Sequence, residues 1–231
     1  MEAHTAAQQH IADHFDVVAG EYDYWKEKNW LYYETLRSIA RAHVPQEGRL
    51  LDVGCGTGAM VRAVAPMHAL GIDIAPEMVE IAKRLDSEHP EYRYEVADIT
   101  NFRLSEQFDT LLFFDVIEHT VDMPAALRCM RDLMAPRGVL VLSMANPLWE
   151  PILMLGEKLG MKMPEGPHYR MSAGELLTKA ADAGLKLQAR EWHLLFPKYI
   201  PLFSAFCNTI LARVPLIQHL CVIEVFVFEK A

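Results

Sequence analysis

The segment Leu50-Leu-Asp-Val-Gly-Cys-Gly-Thr-Gly58 constrains this chain more than any other. Glycines at 54, 56 and 58 follow a short apolar strand, Arg49 to Gly54, and precede a helix face made by Met60, Val61, Val64 and Ala65. Without Cβ atoms the backbone can turn sharply there and lie close against a ligand. A tight turn with no ligand is the plainer alternative, and the strand–turn–helix context argues against it. Gly54, Gly56 and Ala59 also satisfy the loose fingerprint of dinucleotide sites. Asp52 separates the two ligand classes. A carboxylate two residues before the first glycine repels a pyrophosphate and suits a ligand carrying an ammonium and a sulfonium.

The pattern continues as alternating strands and helices. Ala69 to Asp73 reads as a second strand, and Pro76 suits the first turn of a helix carrying Met78, Val79, Ala82 and Leu85. Tyr92, Tyr94 and Val96 alternate as a third strand closing at Asp98. Phe108 to Phe114 is apolar on both faces, as a central parallel strand requires. Asp122 caps the next helix, and Gly138 to Ser143 is a fifth strand. This order predicts a doubly wound, Rossmann-like α/β fold in a single domain spanning residues 1–231. Residues 1–45 read as a helical prelude that Pro45 ends. Ser172 opens a late helix that Gly184 closes, and Leu185 to Leu195 and Cys221 to Glu229 read as strands. Two apolar helical insertions interrupt the pattern, at 147–170 and 200–219, and are candidate lids.

Composition removes several function classes. A net charge of −9 without basic clusters argues against a nucleic-acid partner. The four cysteines are scattered, without metal or disulfide spacing, and the first ten residues lack a signal-peptide pattern, so a cytoplasmic location is expected. The most apolar stretch, Ile200 to Ile217, contains Pro201, Asn208, Arg213 and Pro215 and should not span a bilayer.

Asp73 sits about twenty residues after the glycine loop, where a carboxylate can accept from both hydroxyls of a ribose. Asp98 could accept from an adenine amino group. With these residues on the page, the chain resembles the class I S-adenosylmethionine-dependent methyltransferases, especially their type-11 group. The resemblance runs from about Asp13 to Glu229 and also rests on Asp115-Val-Ile-Glu-His119 and on His14-Phe-Asp16…Ala19-Gly-Glu-Tyr-Asp23. It implies a seven-stranded sheet with an antiparallel last strand, and S-adenosylmethionine as cofactor. It implies that Gly54, Gly56 and Gly58, with Cys55, pack on the methionine part and that Asp52 orients it. Asp73, with Ile74 and Met78, would hold the ribose side. Asp98 and Ile99 would hold adenine, and Asp115 with Val116 would approach the cofactor, as would Tyr22 from the prelude. A narrower resemblance, carried by Val116 to His119 and by Met163-Pro-Glu-Gly-Pro-His168, is to the O-methyltransferases of ubiquinone biosynthesis. The apolar insertion before the last strand departs from that group.

Methyl transfer to a hydroxyl needs a proton acceptor, and His119 and His168 are the candidates. Glu118 and His119 alone are too few ligands to predict a metal. The insertions, with Trp149, Leu153, Phe203 and Phe206, read either as faces packed on the sheet or as a greasy lid for an apolar acceptor, quinone-like or lipid-linked. Peripheral membrane contact fits the second reading, although the insertions carry few cations. The rival functions are an NAD(P)-dependent oxidoreductase and a non-catalytic S-adenosylmethionine-binding module.

Overall fold

The protein is described by a computed structural model covering residues 5–164, 166, 169 and 171–231. His168 lies outside the described residues, as do Glu165 and Pro167 of the segment around it.

Seven strands form one sheet in the order β3-β2-β1-β4-β5-β7-β6. They are β1 (Arg49–Val53), β2 (His68–Asp73), β3 (Tyr92–Val96), β4 (Phe108–Phe114), β5 (Met134–Ala145), β6 (Leu185–His193) and β7 (Ile223–Lys230). β1 to β5 pair in parallel, and β7 inserts antiparallel between β5 and β6. The helix-interrupted strand order makes this the class I methyltransferase fold. Leu50, Leu51, Leu111, Leu112 and Phe113 are buried because β1 and β4 are central and covered on both faces. β3 is an edge strand, so only Tyr94 of its apolar positions is buried and Val96 is exposed. β5 begins at Met134, earlier than the Gly138 expected, because Met134 pairs with Phe108 before a register irregularity.

Three helices precede the sheet: α1 (Ala6–Val18), α2 (Tyr22–Lys28) and α3 (Trp30–His43). Thr5 caps α1, its hydroxyl accepting from Gln8 N–H while the Gln8 side chain accepts from Thr5 N–H. α4 (Ala59–Val64), α5 (Pro76–Leu85), α6 (Met123–Leu133) and α8 (Ala173–Asp182) link the strands, and the caps Asp122 and Ser172 are found as expected. The first insertion is a 3-10 turn at Pro147–Trp149 followed by α7 (Glu150–Lys158). The second is less helical than its composition suggests. It holds only α9 (Phe203–Thr209) and two 3-10 turns, since Leu202 at φ 63° starts a new direction and Pro215 blocks continuation.

β1 leads outward through β2 to β3, whereas β4 and β5 lie on the other side. The carboxyl ends of β1 and β4 therefore flank the crevice where open α/β sheets bind ligands. Gly54 follows one and Asp115 the other.

Candidate active site

After β1 the amides of Gly54 and Cys55 both donate to Ile72 O, at 2.8 and 3.0 Å, which folds the chain over the end of β2. Gly54 and Gly56 have φ of 74° and 52°. A Cβ on Gly54 would lie 2.2 Å from Val116 Cγ2, and one on Gly56 would lie 3.0 Å from the Tyr22 ring. Val116 and Tyr22 thus close over a backbone that only glycine permits. Gly58 departs from the expected role. It begins α4, a Cβ there would lie 2.6 Å from Tyr94 Oη, and it does not line the cavity above the loop. It shapes the turn because Tyr94 of β3 lies directly against it.

The three expected carboxylates converge on that cavity. Asp73 Oδ2 accepts from Gly56 N–H at 2.8 Å and Oδ1 from Ala75 N–H at 2.9 Å. Burial raises its carboxyl, and these backbone donors pull it back down. Asp98 accepts from Thr100 N–H at 2.8 Å, and Gln8 reaches it from α1 through its side-chain amide. Asp52 is buried within β1, and its Oδ2 has no hydrogen-bond partner among the described residues. Burial pushes its carboxyl up to about 7, against the opposing charge of Lys26. Lys26 is itself buried, 4.2 Å from the centre of the Tyr22 ring, and burial pushes it down to about 8. Cys55, Ile74, Met78 and Ile99 complete this end of the wall, and burial holds the Cys55 thiol well above its usual range.

The other end begins at Asp115, whose φ of 56° is unusual for a residue with a side chain. Its N–H donates to Ser143 Oγ at 3.0 Å, the Ser143 hydroxyl donates to Oδ1 at 2.9 Å, and Tyr32 Oη lies 3.0 Å from both carboxylate oxygens. Glu118 and His119 follow on a 3-10 turn and line the cavity. Glu118 Oε1 accepts from Ala145 N–H at 3.1 Å, and burial, with Asp115 beside it, pushes this carboxyl up to about 7. The His119 ring meets Phe15 of α1 edge-on, with centroids 5.0 Å apart.

Together these walls enclose about 520 Å³. Trp149, Ile152, Leu153 and Leu159 of the first insertion line it. Phe203 and Phe206 do not, which goes against the lid reading for the second insertion. Phe203 instead packs edge-on against Phe196 at 5.1 Å, and the chain before α9 reaches the cavity through Phe196, Pro197 and Lys198. Asn29 clasps the far side. Its amide donates to Met161 O at 3.3 Å, its Oδ1 accepts from Lys198 Nζ at 3.2 Å, and Lys28 Nζ donates to Gly160 O at 2.7 Å.

Gln8, Lys26, Asn29 and Tyr32 escaped the sequence reading, and Glu118 entered it only as one of too few ligands for a metal. For Gln8, Lys26 and Asn29 the signal is a stripe at helical spacing through the prelude: Gln8, Ile11 and Phe15, then Tyr22, Lys26, Asn29 and Tyr33. Its mixture of polar and aromatic residues suits a ligand-facing wall better than a core.

A family described as a methyltransferase domain matches residues 24–190. The chain belongs to this methyltransferase-domain family. That sets aside the nicotinamide oxidoreductase. The methyltransferase is 30% identical over 155 residues to a ubiquinone biosynthesis O-methyltransferase of Xanthomonas axonopodis, covering 62% of this chain and 65% of that protein. It is 34% identical over 136 residues to the protein of that name from Cereibacter sphaeroides, covering 55% of each. It thus spans less than two thirds of the length of these curated relatives. Among solved structures, a possible histamine N-methyltransferase from Thermotoga maritima superposes with a TM-score of 0.71 at 18% identity, covering 96% of this chain and 100% of that one. The magnesium protoporphyrin IX methyltransferase of Synechocystis, with bound S-adenosylhomocysteine, gives 0.62 at 16% identity, covering 97% and 100%. Identities this low speak for the fold alone.

The residues present fit the methyltransferase's cofactor. The unpartnered Asp52 Oδ2 offers an acceptor to a cationic group, and the glycine turn leaves backbone where a Cβ would intrude. Among the described residues no helix is long and apolar enough to cross a membrane.

Proposed function

We propose that the enzyme transfers a methyl group to an oxygen of a small apolar acceptor, a quinone-like phenol or a lipid-linked compound. The observation that carries this reading is the asymmetry of the cavity. One end is lined by carboxylates and glycine backbone, and the other by Trp149, Ile152, Leu153 and Leu159 with proton-accepting groups at the junction.

In this reading Asp52 takes the cofactor's ammonium, and Gly54, Cys55 and Gly56 lie against its methionine part. Asp73, with Ile74 and Met78, takes the ribose, and Asp98 with Ile99 takes the adenine. Tyr22 and Val116 cover the glycine turn, and Asp115 fixes the chain at the junction. When bound, S-adenosylmethionine supplies an electrophilic methyl group. The protein's part is to hold the acceptor hydroxyl in line, a positioning effect that can supply roughly 7–11 kcal/mol. It also excludes water through the apolar lid and takes up the hydroxyl proton at His119. The narrower likeness to O-methyltransferases supports oxygen as the attacked atom.

A series of phenols bearing longer alkyl tails tests the acceptor. Each added methylene that the lid buries is expected to raise kcat/KM about fourfold, the equivalent of about 0.8 kcal/mol. A preference for small amines, with no gain from the tail, would replace this reading with N-methylation.

Asp52 makes cofactor binding sensitive to pH. With its carboxyl near 7 when no ligand is present, Asp52 is largely protonated at pH 6. An ammonium beside it stabilises the ionised form, so binding releases a proton there. Affinity should therefore rise with pH up to about 7, by at most about tenfold per unit. Calorimetry in buffers of different ionisation enthalpy reads the released proton directly, and pH-independent binding from 5.5 to 8 would show that Asp52 does not face the ammonium.

A further inference from the structure

A continuous path of side chains holds the glycine turn from behind. It starts at Asp86, which follows α5. The Asp86 N–H donates to Ala82 O at 3.0 Å, and its carbonyl accepts from His89 N–H at 2.9 Å, so its backbone is pinned on both sides. Its side chain is 2% exposed. Oδ2 accepts from Tyr94 Oη of β3 and, at 3.2 Å, from Arg62 Nη1 of α4, while Oδ1 has no hydrogen-bond partner among the described residues. The same guanidinium nitrogen donates to Thr57 O at 2.8 Å. Thr57 is buried, and its hydroxyl donates to Asp23 Oδ1 of α2 at 2.8 Å.

Stability alone does not account for this arrangement. Taking the Asp86 charge out of water is costly, and a buried ion pair contributes little net stability. The unmatched Oδ1 adds to the cost. What the path fixes is direction. Gly56 and Gly58 flank Thr57 and both have positive φ, so the backbone there is free to take more than one course. Arg62 on the Thr57 carbonyl selects one of them. Tyr94 selects the same course by contact, since its ring fills the space beside Gly58 and a Cβ on Gly71 would lie 2.6 Å from it.

The path also reaches the opposite wall of the cavity. Asp23 lies next to Tyr22, whose ring covers Gly56, and one helical turn before Lys26. Tyr22, Lys26 and Gly56 line the cavity, whereas Asp23, Thr57, Arg62, Asp86 and Tyr94 do not. Thr57 therefore joins two lining elements, the glycine turn and α2, through groups that themselves touch no bound molecule there. Its carbonyl is held from β3 and α5, and its hydroxyl holds α2.

We propose that Tyr94, Asp86, Arg62, Thr57 and Asp23 act as one set of positioning residues that determines how tightly the enzyme holds its cofactor, by fixing the glycine turn and α2 to each other. The proposal rests on the cofactor lying between those two elements, as in the reading above. Calorimetry on the full chain with S-adenosylhomocysteine tests it. Thr57→Val keeps the shape of the side chain and removes only the hydroxyl, and the half-buried Asp23 can turn to water. Its Kd should rise about tenfold, roughly what one hydrogen bond to a charged group contributes. Thr57→Ser keeps the hydroxyl and should bind within about twofold of wild type. Tyr94→Phe keeps the ring against Gly58 and Gly71 and should raise Kd about threefold. The double variant should lose less than the two single losses combined, because both break one path. Asp73→Ala reports on the cofactor's placement. Weaker binding by Asp73→Ala with unchanged binding by Thr57→Val and Tyr94→Phe would overturn the path and leave the placement standing, and unchanged binding by all three would overturn both. Equal loss in Thr57→Val and Thr57→Ser, with a lower melting temperature in each, would show that Thr57 only packs and would overturn the path as well.

Discussion

Asp73→Ala is expected to weaken S-adenosylmethionine binding by roughly 100-fold or more. A hydrogen bond to a charged group contributes about 1.5–3 kcal/mol, and tenfold in affinity corresponds to about 1.4 kcal/mol. Two such bonds to ribose hydroxyls would suffice for this loss. The structure adds a second contribution. Asp73 also accepts from Gly56 N–H and Ala75 N–H, so its removal frees the glycine turn as well as the ribose. Asp73→Asn keeps one acceptor oxygen and should fall between the two. Circular dichroism should show both variants folded, because Asp73 ends β2 and is not part of the apolar core. Calorimetric affinity equal to wild type in folded Asp73→Ala would show that the ribose is held elsewhere.

The largest effect on turnover is expected at His119. If it takes the acceptor's proton, His119→Ala should lower kcat by about 100-fold while cofactor affinity stays within about twofold. Glu118 provides the control. Burial and Asp115 lift its carboxyl to about 7, and Glu118→Gln retains an oxygen to accept from Ala145 N–H while removing the basic group. A 100-fold loss in Glu118→Gln, with His119→Ala nearly intact, would move the base to Glu118. Activity retained in both would mean that the acceptor ionises without a protein base.

The parallel half of the sheet is legible in the chain because its strands are local apolar runs separated by amphipathic helices and marked by Asp52, Asp73 and the glycine turn. Those signals depend on neighbours in sequence. The insertion of β7 between β5 and β6 does not: nothing in Leu185 to His193 or Ile223 to Lys230 states which strand each one pairs with, and family likeness carried that expectation. The same distinction divides the site. Asp73, Asp98 and Asp115 lie at or just beyond strand ends and could be placed from strand boundaries alone. Gln8 meets Asp98 across 90 positions and Tyr32 meets Asp115 across 83, contacts that only the folded chain defines. Phe203 and Phe206 show the limit of composition. An aromatic, apolar helix reads alike whether it faces a cavity or the outside, and here it faces outside.

The helices before the sheet have a thermodynamic consequence. Gln8, Phe15, Tyr22 and Lys26 form a roof over the pocket that β1 to β4 open below it. Its polar links to the floor include Gln8 on Asp98, Tyr32 on Asp115, and the Thr57 hydroxyl on Asp23. A ligand bound between roof and floor touches both, so occupancy and closure must strengthen one another by equal free energies. The roof then behaves as a tethered co-ligand. Whatever loosens α1 raises the cofactor's dissociation constant, and saturation with cofactor slows hydrogen exchange along α1 to α3 by the same factor.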